Sequence, residues 1–128
     1  MQIYIPIKTP FGELYGRDCI YLDRVVFENG MNTFSLEGEI NGRLCQPENK
    51  KEWIPYLFRF TGILALNFVE LDSWCKVGVS CFDEILKSEW KASLKGKITE
   101  NHRHFILQTY DDVFDIICED FFISERVL

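Results

Sequence analysis

The sequence predicts a mainly β domain of the α+β kind, an antiparallel β-sandwich or partly open barrel with one helix, at about residues 80–94, packed on it. Three observations lead there. Apolar and polar residues alternate through most of the chain, two Asn-Gly pairs punctuate it, and a single segment changes to helical spacing. Helices do not alternate with strands, which disfavours a parallel α/β architecture.

The elements follow in order. QIYIPI (2–7) reads as a first strand, and Pro6, which has no N–H to give to a ladder, places it at an edge. From Cys19 to Glu28, Ile20, Leu22 and Val26 fall on one parity and Tyr21, Val25 and Phe27 on the other, a pattern that predicts a strand buried on both faces. Asn29-Gly30 and Asn41-Gly42 supply the positive φ angles that tight hairpin turns need. Between them TFSLEGEI (33–40) alternates, with Phe34, Leu36 and Ile40 toward a core and Thr33, Ser35, Glu37 and Glu39 toward water. An antiparallel meander follows, continuing through Arg43, Leu44 and Cys45.

QPENKKE (46–52) is a loop, and WIPYLFRF (53–60) is a strand with Ile54, Tyr56, Phe58 and Phe60 on one side. Residues 62–71 have no helix-starting cap and are preferred as a buried strand over a core helix. In SCFDEILKSEWKASL (80–94), Phe82, Ile85, Leu86, Trp90 and Leu94 recur at helical spacing, and Ser80 with Asp83 resembles a capping box. A strand restarts near Lys97, and a polar turn passes Asn101.

The stretch HFILQTYDDVFDIICEDFF (104–122) admits two readings. In the first, strands 104–110 and 113–122 are joined by a turn at Asp111-Asp112. Phe114, Ile116, Cys118 and Phe122 then share one face, while Val113, Asp115, Ile117, Glu119 and Phe121 share the other. In the second, Asp111 caps a helix that buries Val113, Ile116, Ile117 and Phe121. Abundant β-branched and aromatic residues favour the hairpin.

Composition bounds what such a fold can do. With 128 residues, 47% of them hydrophobic and 15% aromatic, the chain is expected to form a single domain over 1–128 with one substantial core. The apolar run at 62–66 falls far short of the roughly 20 residues a membrane-spanning helix needs. MQIYIPIKTP lacks a basic n-region and a long apolar h-region, so no secretory leader is expected. Five cysteines, Cys19, Cys45, Cys75, Cys81 and Cys118, are irregularly spaced and odd in number, which predicts reduced thiols in a core and a cytoplasmic setting. A formal charge of −6 would repel phosphate backbones and anionic lipid and attract a basic partner, so neither nucleic acid nor membrane is expected as a ligand.

Sites of chemistry are few. His102 and His104 form an HxH pair that would share one face of a strand, but no third ligand accompanies them, and the simpler reading is two exposed imidazoles. There is no GxSxG elbow and no glycine-rich phosphate loop, so no cofactor, no metal and no catalytic residue is assigned. Trp53, Tyr56, Phe58, Phe60 and Phe68 could instead line the cavity of a small barrel that carries an apolar ligand.

FDEILKSEW (82–90) and HFILQTYDDVFDIICEDFFI (104–123) resemble the C-terminal half of small uncharacterised bacterial domains, some of them immunity-type proteins associated with toxins. The resemblance implies a cytoplasmic, non-enzymatic interaction module in which Tyr110, Asp111 and Asp112 form a recurring turn. It would dock on a basic, toxin-like protein through Tyr110, Asp111, Asp112, Asp115, Glu119 and Phe121, acids steering the encounter and aromatics anchoring it. Aromatic residues exposed on the last hairpin would also permit a homodimer. An apolar-ligand carrier and an enzyme without a familiar motif are the alternatives.

Overall fold

The computed structural model describes residues 1–74 and 78–127, in which alternating segments pair into three antiparallel sheets. In chain order the strands are β1 (Ile3–Pro6), β2 (Glu13–Leu14), β3 (Ile20–Glu28), β4 (Thr33–Asn41), β5 (Cys45–Gln46), β6 (Trp53–Thr61), β7 (Ala65–Glu70), β8 (Phe82–Leu86), β9 (Arg103–Gln108), β10 (Asp112–Cys118) and β11 (Asp120–Glu125). One sheet runs β1-β8-β9-β10-β7 and the other β11-β6-β4-β3, while β2 and β5 form a short ribbon beside them. Their inner faces meet through phenylalanine rings: Phe34 lies 5.6 Å from Phe114, Phe58 5.6 Å from Phe82, and Phe60 6.4 Å from Phe105. This is a sandwich, with the inward residues of both sheets making the core.

The clean alternation of β4 and β6 places Phe34, Leu36, Ile40, Ile54, Tyr56, Phe58 and Phe60 inside, as the pattern predicts. On the opposite face of β4, Glu39 is exposed, but Thr33 and Ser35 are buried. Arg59 lies across Ser35, donating from Nε to its Oγ, and Arg126 reaches Glu37 at 3.2 Å. Long arginine stems cover polar residues that alternation alone assigns to water. β3 is not doubly buried as its composition predicts. It is the edge strand, and Val25 and Phe27 remain 42% and 40% exposed.

Double burial belongs instead to the five-stranded sheet. Its inner face carries Phe82, Phe105, Leu107, Phe114 and Ile116. On its outer face Ile85, Ile106 and Val113 pack against Tyr4, Leu71 and Trp74. That second layer explains why every residue of β10 from Val113 to Cys118 is buried.

The helix expected over 80–94 is confined to α1 (Glu89–Ser93), and residues 82–86 are the strand β8. The period of Phe82, Ile85 and Leu86 suits either structure over so short a run. Pairing with β1 and β9 decides it, putting Phe82 in the sandwich and Ile85 under the outer layer. Only one half of the expected capping box forms: Ser80 donates from both N–H and Oγ to the Asp83 carboxylate, while its Oγ accepts from Phe82 N–H and not from Asp83 N–H. It closes the loop entering β8, and the cap of α1 is Ser88. The strand expected near Lys97 begins only at Arg103.

At Asn29-Gly30 both residues have positive φ, 54° and 69°, and the β3–β4 hairpin turns there. Asn41-Gly42 makes no hairpin. Asn41 caps a short 3-10 turn at Gly42–Leu44, and a Cβ on Gly42 would stand 2.0 Å from the Lys51 carbonyl oxygen. The meander therefore does not continue through Cys45, which pairs with β2.

Candidate functional site

The hairpin expected over 104–122 holds as far as Cys118, with the turn one residue earlier than expected. The second strand does not run on to Phe122, because it breaks at Glu119 and β11 pairs with β6 in the other sheet. Val113 faces Gln108, Thr109 N–H donates to the Asp112 carbonyl, and Asp112 N–H donates to Thr109 Oγ1, leaving Tyr110 and Asp111 at the tip. Neighbours fasten the tip on three sides. Tyr110 N–H donates to the Ile20 carbonyl at 2.8 Å, Arg17 Nε to the Tyr110 carbonyl at 3.2 Å, and Leu71 N–H to the Asp111 carbonyl at 2.8 Å. The first of these bonds links the tip of one sheet to the start of a strand in the other.

An aromatic ladder grows from this junction. Tyr110 stacks on Tyr21 at 5.3 Å, Tyr21 meets the edge of Trp53 at 5.6 Å, and the Arg17 guanidinium covers the outer face of the Tyr110 ring at 5.1 Å. Trp53 and Tyr110 are 43% and 38% exposed. Acids surround the ladder. Asp18 accepts from the Tyr21 hydroxyl, Asp72 pairs with Arg17, Glu39 faces Tyr21 across β3 and β4, and Asp112 faces Glu70 across β10 and β7. Burial, followed by the charges of Asp111 and Glu70, holds the Asp112 carboxyl above its ordinary range. The Tyr21 phenol is likewise raised by burial and by Asp18.

The six residues expected to bind a partner do not converge on one face. Tyr110, Asp111 and Asp112 lie together at the pinned tip. Glu119 is exposed at the other end of β10, against Gly62, where the chain crosses from one sheet to the other. The same crossing breaks the expected parity, so Phe121 turns inward onto Phe60, Phe82 and Phe105 while Phe122 is 56% exposed. Asp115 is buried in the second layer. Trp53, Tyr21 and Arg17 were missed as members of the surface because they come from segments far away in the chain, and nothing local marks them as neighbours of Tyr110.

Asp115 has a definite partner there. Its Oδ1 is 2.6 Å from His104 Nε2, and His104 Nδ1 is 2.7 Å from Ser88 Oγ. Ser88 Oγ also accepts the Lys91 N–H at the start of α1. Trp90 presses its ring edge-on to the imidazole at 5.4 Å. His102 is buried too, its Nδ1 accepting from Thr99 N–H. Neither histidine is the exposed imidazole expected of the HxH pair. Among the described residues no group of three or more His, Cys, Asp and Glu is placed to hold a metal ion.

Of the aromatics considered as cavity lining, Tyr56, Phe58 and Phe60 are fully buried in ring-to-ring contact, whereas Trp53 and Phe68 lie at the surface. Among the described residues no helix is long and apolar enough to cross a membrane. Cys19, Cys45, Cys81 and Cys118 are buried free thiols, and Cys75 lies outside the described residues. Comparison with protein-family models, curated proteins and solved structures found no match.

Proposed function

We propose that this chain is a protein-interaction module of the immunity type, docking a basic protein through the surface around Tyr110, Asp111 and Asp112. One observation carries the reading: a half-exposed ladder of Trp53, Tyr21 and Tyr110, rimmed by acids, sits on a turn already held by three hydrogen bonds. Amphipathic aromatics of this kind supply buried anchors at interfaces, and the carboxylates steer a cationic partner and select it by charge. A turn fixed before binding loses little entropy on docking. The overall charge of −6 acts in the same direction at longer range.

Affinity capture from the source cell, with the whole chain as bait, tests the proposal. The wild type should retain a basic protein whose recovery falls as salt rises, and an Asp111→Lys, Asp112→Lys double variant should lose it with no fall in melting temperature. An unchanged set of captured proteins would remove this surface from consideration. A toxin-like gene encoded beside this one would identify the partner as the protein it neutralises.

A further inference from the structure

Ser88, His104 and Asp115 form a hydrogen-bonded chain that partner docking does not use. Ser88 Oγ already accepts from Lys91 N–H, so its single hydrogen is free to be donated to His104 Nδ1, 2.7 Å away. The imidazole then carries its proton on Nε2, which donates to Asp115 Oδ1 at 2.6 Å. This is the donor order of a nucleophile, a general base and an orienting carboxylate, with the two ring nitrogens exchanged relative to the usual serine hydrolase arrangement.

The surroundings suit that chemistry. Ser88 and His104 line a cleft of about 530 Å³ between β8, α1 and the segment leading to β9. Leu86, Ala92, Leu94 and Ile98 give it apolar walls, and Lys87 and Lys91 add two cations that form no ion pair among the described residues. Lys87 has φ 55°, an unfavourable left-handed conformation for a side chain of its size, and that turn directs the chain out of β8 at Ser88. Asp115 is only 7% exposed, so its carboxylate is shielded from water beside the imidazole.

We propose that Ser88 is the nucleophile of a hydrolytic site for short-chain carboxylic esters, with His104 as general base and Asp115 as its positioning residue. Ser88 Oγ bonds to the acyl carbon as its proton passes to His104 Nδ1. The ester C–O bond then breaks, and the leaving alkoxide takes that proton and departs as the alcohol. Water next attacks the acyl-serine, giving one proton through His104 back to Ser88 Oγ and releasing the carboxylic acid. The apolar walls receive the acyl chain, and Lys87 and Lys91 offer positive charge to the oxyanion.

A fluorophosphonate probe and p-nitrophenyl acetate test this on the intact chain. The wild type should gain one phosphonyl group, mapped by mass spectrometry to Ser88, and should release p-nitrophenol. Ser88→Asn retains an acceptor for Lys91 N–H and a donor for His104, so it should fold as the wild type and lose both signals. Asp115→Asn should slow labelling at least about tenfold, because the imidazole loses the carboxylate that fixes its tautomer. Absence of an adduct on the folded wild type, or labelling and ester release that persist in Ser88→Asn, would overturn the assignment.

Discussion

Gly38 shows how one absent side chain organises a strand pair. β3 bulges between Leu22 and Arg24, bringing the Tyr21 carbonyl over Gly38, where a Cβ would stand only 1.9 Å from that oxygen. The same carbonyl accepts a 2.9 Å bond from the buried Tyr56 hydroxyl, whose phenol is pushed up by burial. Gly38→Ala should therefore destabilise the fold by about 3 kcal/mol, since backbone must move, whereas Tyr56→Phe should cost about 1 kcal/mol. Urea unfolding of both variants checks the ordering. Asp112 is a charge the fold tolerates at a cost. Its pKa is raised in the native state, so the penalty is full at neutral pH and fades as pH falls toward the ordinary carboxyl value. Asp112→Asn should raise the melting temperature at pH 7, and the gain should shrink toward pH 4. Residue identity let the sequence nominate Asp111 and Asp112 for a turn. The bulge that makes Gly38 indispensable depends on a partner strand and leaves no mark in local spacing.

Elements were legible where alternation was long and where a turn demanded particular residues. β4 and β6 satisfy both conditions, and Asn29-Gly30 joins β3 to β4 as its chemistry requires. Five-residue β8 satisfies neither. Phe82 and Ile85 match helical and extended periods equally, and the outcome rests on tertiary pairing with β1 and β9. Phe82 is the measure of that pairing, because its ring touches Phe58, Phe60, Phe105 and Phe121 from three other strands. Phe82→Ala should cost about 3–5 kcal/mol in denaturant unfolding. The helix expected over 80–94 would bury Phe82 as well, so the size of the loss measures how closely the ring is packed and not which element carries it.

At the scale of the molecule, the sandwich and its filled interior could be read from composition and alternation, while the outer layer on the five-stranded sheet could not. That layer is assembled from Tyr4, Leu71, Trp74 and Trp90, which come from three separate stretches of the chain. It conceals Asp115 and His104, two of the groups the sequence marks as accessible. Thiols are enclosed by the sandwich core itself. Cys19, lowered by its bond with Cys45 but raised by Cys81 and burial, lies at about 12, and burial takes Cys118 to about 12. A thiol reagent at pH 8 should leave both unmodified in the native protein and modify them once denaturant is added, as peptide mapping would show. The crossing at Glu119 has a consequence for synthesis. β10 completes the pairing of β7 and β9, and β11, directly after it, covers the free edge of β6. Neither sheet is whole until the stretch 112–125 has left the ribosome, so an earlier nascent chain exposes edges of β6, β7 and β9 at once and depends on β10 and β11 to withdraw them from aggregation.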